Sequence, residues 1–209
     1  MQNAEIKRAI KHLSQHDYTL STIIKNIGII NLTPHRQYFN SLLDAIIGQQ
    51  LSVSAADKIS LRFFNLFDMK PLPEQILETG DNILRSVGLS NAKVKYVKDL
   101  SWKITTKEIH LNKLIKMPDD EIIAELTKVK GIGVWTTHMF LIFTLGRLNV
   151  LPFSDLGIRK AVMLNYRLRK LPDEKKIRSI AKKYNWDPYC SVVSRYLWKS
   201  LDNNFFQPD

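Results

Sequence analysis

Helix start signals recur along this chain at short intervals, and no stretch alternates apolar and polar residues convincingly. Thr33-Pro34 precedes a segment running to about Gln50, with Leu42, Leu43, Ile46 and Ile47 on one face. Ser52 or Ser54 can cap a segment through Phe67, and Ser90 can cap one from Asn91 to about Ile104. Pro118-Asp119-Asp120-Glu121 is an acidic first turn, favoured by the helix dipole. Pro172-Asp173-Glu174 opens another helix, and Asp187-Pro188 opens the last. Asp68 to Pro73, with two prolines, reads as an irregular connection. These signals predict an all-α chain of roughly ten helices with short connections.

The 209 residues, 44% of them apolar, are enough for one domain or for two small lobes. Lys and Arg number 31 against 20 Asp and Glu, a formal charge of +11 that favours a polyanionic partner through counterion release. One cysteine, Cys190, excludes an intrachain disulfide, a Cys-rich zinc site and a four-cysteine iron–sulfur cluster. Its apolar neighbours predict a buried thiol. The polar N-terminus does not read as a signal peptide, and the apolar run Met139 to Leu145 is too short to span a bilayer. A cytoplasmic protein, in the bacterial cytoplasm or nucleoid, with no membrane association and a monomeric state, is the expectation.

The most informative string is Leu126-Thr127-Lys128-Val129-Lys130-Gly131-Ile132-Gly133-Val134-Trp135-Thr136-Thr137. A helix ends near Val129, two glycines follow around one apolar residue, and a second helix starts. Gly131 and Gly133 permit unusual dihedrals and let a phosphate approach the main chain. The N–H groups opening the second helix have no intrahelical partner. Ile132 can point inward and pin the turn. Lys128 and Lys130 add charge. The result would be an anion cradle that reads backbone and not sequence. A plain helix–helix turn with a C-cap glycine fits the same residues.

This string resembles the helix-hairpin-helix motif of the base-excision DNA glycosylases. The loop Leu151-Pro152-Phe153-Ser154-Asp155-Leu156-Gly157 follows in register. Ala45-Ile46-Ile47-Gly48-Gln49-Gln50-Leu51-Ser52, Gly88-Leu89-Ser90-Asn91-Ala92-Lys93 and Arg195-Tyr196-Leu197-Trp198 are similar to motifs of the 3-methyladenine branch. The resemblance covers roughly Tyr38 to Trp198. It implies a single two-lobed helical module over residues 1–209, with the active-site cleft between the lobes. One lobe would span about 35–115 and the other 1–34 plus 116–209, with the hairpin at about 119–145. The best-studied bacterial relatives carry an extra N-terminal sheet domain. About thirty-five residues precede the match, too few for that domain, so a compact form is expected.

The resemblance implies a base-excision repair enzyme that hydrolyses the glycosidic bond of alkylated purines, such as 3-methyladenine and 7-methylguanine, in damaged duplex DNA. The family's catalytic aspartate falls on Asp155, about twenty residues after the hairpin. Local sequence alone reads Asp155 as a helix N-cap. Methylation at N3 or N7 makes the purine a good leaving group, so one carboxylate that stabilises the positive sugar is sufficient chemistry.

The bifunctional relatives carry a lysine nucleophile where this chain has Trp135, which implies no strand cleavage. The acid glutamate of the adenine-excising relatives matches Ala45, beside Asp44. Trp135, Trp198 and Met139 match positions of the base pocket, where flat apolar walls hold a flipped base. An aromatic stands in one well-known member where this chain has Met139. Trp102, Trp186, Phe63 and Phe64 have no such placement and read as core. Gln50 or Leu51 matches the wedge that fills the gap left in the stack, and Gln49, Ser90 and Lys93 match DNA-binding positions. No cofactor is required, but the family often binds a monovalent cation (Na or K) through hairpin carbonyls, here those of Thr127, Val129 and Ile132. Three alternatives stand beside it: a non-catalytic DNA-gripping module, a glycosylase for another purine lesion, and a structural or protein-binding helical domain.

Overall fold

A computed structural model describes residues 2–202. Thirteen α-helices and one π-helical turn account for its regular structure, and no strand forms among the described residues. By internal contacts the chain divides into two units, one contiguous (35–140) and one built from both ends (residues up to 34 and from 141 onward). The sequence reading placed the division near 115. By contacts it falls after Phe140, so the hairpin counts with the contiguous unit.

The contiguous unit holds α3 (Tyr38–Gly48), α4 (Val53–Asn65), α5 (Pro73–Glu78), α6 (Asp81–Ser86), α7 (Asn91–Thr105), α8 (Leu111–Leu114), α9 (Asp119–Leu126) and α10 (Val134–Met139). Tyr38, Leu42, Leu43, Ile46 and Ile47 form the buried face of α3, at the spacing a 3.6-residue period requires. The helix starts at Tyr38 and not at Pro34, and the chain before it is irregular. Ser52 and Ser90 cap α4 and α7, accepting the N–H of Ala55 and of Lys93. Phe63 and Phe64 meet edge to face in the core.

Trp102 departs from its expectation. The buried face of α7 runs through Val94, Val97, Leu100 and Ser101, which turns Trp102 outward, and 55% of it is exposed.

The other unit holds α1 (Gln2–His16), α2 (Tyr18–Ile27), α11 (Leu156–Asn165), α12 (Glu174–Lys183) and α13 (Cys190–Asp202), with α13 packed on α1, α2 and α11. At its centre lies a buried carboxylate. Asp17 caps α2 by accepting the Leu20 N–H at 2.9 Å. Its other oxygen accepts the Tyr166 hydroxyl at 2.6 Å and the Trp186 indole N–H at 2.9 Å. Burial and the neighbouring Asp17 push the Tyr166 phenol far above its ordinary range, so it stays a donor. Trp186 is fully buried, as read. Cys190 is buried too, and burial pushes its thiol up to about 12. No helix among the described residues is long and apolar enough to cross a membrane.

Candidate active site

The hairpin joins α9 to α10. The first helix ends at Leu126, and the chain turns back through Val129 and Ile132, whose N–H donates to the Val129 carbonyl at 3.1 Å. Ile132 is buried and anchors the turn, as expected. The two glycines differ. Gly131 has φ +82, and a Cβ there would lie 2.2 Å from the Tyr96 ring. Gly133 has an ordinary extended backbone with nothing within 4 Å of where a Cβ would stand. As N-cap of α10, Gly133 supplies no side-chain acceptor to the first turn. Its missing side chain leaves the approach to that turn open.

The flanking lysines are partly engaged. Lys128 pairs with Glu125, while Lys130 donates its backbone N–H to Asp99 at 2.9 Å and holds its ammonium 3.7 Å from the same carboxylate. Both side chains are mostly exposed. Sequence reasoning missed Tyr96 and Asp99, whose roles depend on α7 lying against the hairpin.

Trp135 and Met139 stand four residues apart on one face of α10. Trp135 is 45% exposed and Met139 is half-buried. The end of α3 meets the hairpin: the Gln49 side chain donates to the Gly131 carbonyl at 2.7 Å. Lys93 donates to the Ile47 carbonyl at 2.7 Å, and partial burial lowers its pKa. Gln50 and Leu51 follow, both exposed. Ser90 is exposed beside the cap bond it makes. Asp44 accepts the Ser60 hydroxyl in a separate groove of about 890 Å³ between α3 and α4.

Asp155 lies in the other unit. It is the N-cap of α11, its Oδ1 accepting the Ile158 N–H at 2.8 Å. The same oxygen accepts the Trp198 indole N–H at 2.8 Å. Asp155 as a residue is half-buried. Trp198 is half-buried as well, stacked on Phe143 at 5.6 Å and 27°, with the Arg195 guanidinium 4.8 Å over the other ring of that pair. Partial burial lowers the Arg195 pKa. Gly157 makes the pairing possible, since a Cβ there would meet Asp155 Oδ1 and Trp198 Cδ1 at 3.0 Å each. Phe143, Arg195 and Gly157 carry roles the sequence reading did not assign.

Among the described residues no group of three or more His, Cys, Asp or Glu side chains could hold a metal ion. His138 is buried within α10.

A glycine-bounded hairpin between two helices, followed by an aspartate that caps a later helix, in a structure that is all-helical over the described residues, fits the helix-hairpin-helix class that the sequence resembles. Residues 43–185 match the model of the HhH-GPD superfamily of base excision DNA repair proteins, and the chain belongs to that superfamily, in its 3-methyladenine DNA glycosylase branch. It is 31% identical to the alkylbase DNA glycosidase-like protein mag2 of Schizosaccharomyces pombe, over 94% of each chain. Among solved structures it resembles the 3-methyladenine DNA glycosylase Mag1 of Schizosaccharomyces pombe in complex with abasic DNA, with TM-score 0.83, 30% identity, and coverage of 96% of this chain and all of that one. It also resembles a DNA-3-methyladenine glycosidase from Bacillus halodurans, with TM-score 0.81, 32% identity, and coverage of 92% of this chain and 88% of that one.

Proposed function

We propose that this protein is a monofunctional DNA glycosylase that releases alkylated purines, 3-methyladenine and 7-methylguanine among them, from duplex DNA. The observation that carries the reading is the setting of Asp155: a half-buried aspartate at the start of a helix, with two N–H donors fixing one oxygen. Relatives whose names state 3-methyladenine glycosylase activity, one of them bound to abasic DNA, support it.

A purine methylated at N3 or N7 already carries positive charge. When its bond to C1′ breaks, the electron pair leaves with the base, which departs neutral. The sugar is left as an oxocarbenium-like cation, and a fixed carboxylate lowers the energy of that state. Water then adds to C1′, and its proton passes to the carboxylate and on to solvent. The donors on Oδ1 hold the group in place so that little reorganisation is needed as charge develops.

The reading assigns Trp135 and Met139 to the base. The electron-rich face of an exposed indole attracts a cationic purine, by about 0.5–2 kcal/mol. The helix start at Gly133 is assigned to a DNA phosphate, with Lys128 and Lys130 adding non-specific attraction. The Thr127, Val129 and Ile132 carbonyls belong to one turn and are the hard oxygen donors a monovalent cation prefers, so the hairpin is suited to hold one beside that phosphate. With tryptophan at position 135, no amine is available there to form a Schiff base.

The test is chromatography of the bases released from dimethyl-sulfate-treated DNA. The expected result is free 3-methyladenine and 7-methylguanine without strand scission, and no covalent adduct on borohydride treatment. Absence of released base would leave only a DNA-gripping module, and a trapped adduct would overturn the monofunctional assignment.

A further inference from the structure

The turn that ends α3 is tied down at two points. The carbonyl of Ile47 takes the ammonium of Lys93, and the Gln49 amide reaches the Gly131 carbonyl, each at 2.7 Å. These bonds flank Gly48. The next residue, Gln50, sits at φ +56, a left-handed conformation that costs a non-glycine residue about 1 kcal/mol and persists only when its surroundings hold it. The last carbonyls of a helix lack intrahelical donors and carry partial negative charge, so a lysine there is well placed on both counts.

The far ends of the two ties are themselves fixed. Gly131 is pressed against Tyr96, and the N–H of Lys130 before it is bound to Asp99. Lys93 lies in the first turn of α7, directly after the Ser90 cap. The loop holding Ser90 is braced in turn by Arg62, which donates to the Val87 carbonyl at 3.0 Å. Thus the exposed Gln50–Leu51 tip is joined by one hydrogen bond to the hairpin and by another to the start of α7.

The geometry points to Gln49 and Lys93 as positioning residues. They lock the exposed Gln50–Leu51 tip, at the wedge position the resemblance implies, in register with the hairpin and the start of α7, and their own donors go to carbonyls of the chain. This rests on the base-flipping reading above and deepens it: where the backbone is gripped decides where the wedge enters the stack.

The probe is a duplex carrying an abasic analogue beside 2-aminopurine, whose emission rises when its stacking is broken. The variants are Gln49→Met, which keeps length and loses the donor, Lys93→Met, and Lys93→Arg as rescue. At saturating protein, Gln49→Met and Lys93→Met are expected to lose most of the emission rise, while Lys93→Arg retains it. The salt slope of Lys93→Met binding should stay within half an ion of wild type, whereas removing a true phosphate contact lowers that slope by about one. Excision from a stably paired lesion should fall about tenfold in Gln49→Met, the worth of one hydrogen bond, and markedly less from a mispaired one. Full emission from both methionine variants, a slope reduced by about one in Lys93→Met, or no emission rise with wild type would each overturn the proposal. Base release by wild type, measured separately, decides the underlying reading.

Discussion

Two helix starts in this protein are built in opposite ways. Helix α11 opens on Asp155, which brings its own anion and satisfies its own first turn. Helix α10 opens on Gly133, which brings nothing and leaves the approach clear. A helix N-terminus attracts negative charge in either case. In the first the charge is covalently part of the chain, and the proposed function sets it against a cationic sugar. In the second the place is left for an anion from outside. A third start, that of α2, has the chemistry of the first without its accessibility, because Asp17 is fully buried and bound to Tyr166 and Trp186. One residue type in one capping role therefore sits sealed in a core at one helix start and half-buried at another, according to what surrounds it.

The largest effect that sharpens this contrast is expected from Asp155→Asn. Asparagine keeps an oxygen to accept from Ile158 and Trp198, so fold and DNA binding should persist. Single-turnover base release should fall by about 10²–10³-fold or more, the usual cost of losing an electrostatic stabiliser of the transition state. Undiminished release would end the assignment. Second comes stability. Asp17→Ala strips partners from a buried hydroxyl and a buried indole, and should cost about 3 kcal/mol or more in denaturant titration. Asp155→Ala, at a half-exposed cap, should cost only about 1 kcal/mol. Equal costs would break the distinction between the two aspartates.

The hairpin glycines give the third comparison. Gly131→Ala meets both a left-handed backbone and the Tyr96 ring, and should lower the melting temperature by an amount equivalent to about 1–3 kcal/mol. Gly133→Ala has free space and should melt within about 0.5 kcal/mol of wild type, yet bind DNA more weakly by filtration or anisotropy. Reversal of that order would mean that Gly133 is structural. The smallest effect is expected from Trp198→Phe, which keeps a ring against Phe143 and removes one donor from Asp155, for a loss of about tenfold in excision rate. Activity equal to wild type would show that the Trp198 donor is not needed to fix the carboxylate.

The pattern of apolar residues and caps made much of this legible in advance. Ser52, Ser90, Pro118 and Asp173 each mark a helix start to within a residue, because a cap is a local event. Thr33-Pro34 carries the same local signature but opens no helix. Ile30 and Leu32, buried just before it, belong to an irregular segment that no cap rule anticipates. At the site, Asp155 and the hairpin were legible, the first through resemblance and the second through its glycines. The partners were not. Gly157 is packed tightly under Trp198, forty-one positions further on, and Gly131 is required by Tyr96, thirty-five positions back. Gln49 and Lys93 match DNA-binding positions through the resemblance, and the fold adds what the sequence could not show, that each donates to a carbonyl of the chain itself.

The bonds converging on Asp17 also set a timetable for synthesis. Its partners Tyr166 and Trp186 are made long after it, whereas the internal contacts of the unit 35–140 come from one continuous stretch of chain. The internal contacts of the hairpin-bearing unit can therefore begin to form before Tyr166 and Trp186 are made. The Asp17 carboxylate at the start of α2 can complete its set of bonds only after donors 149 and 169 positions further along have been made.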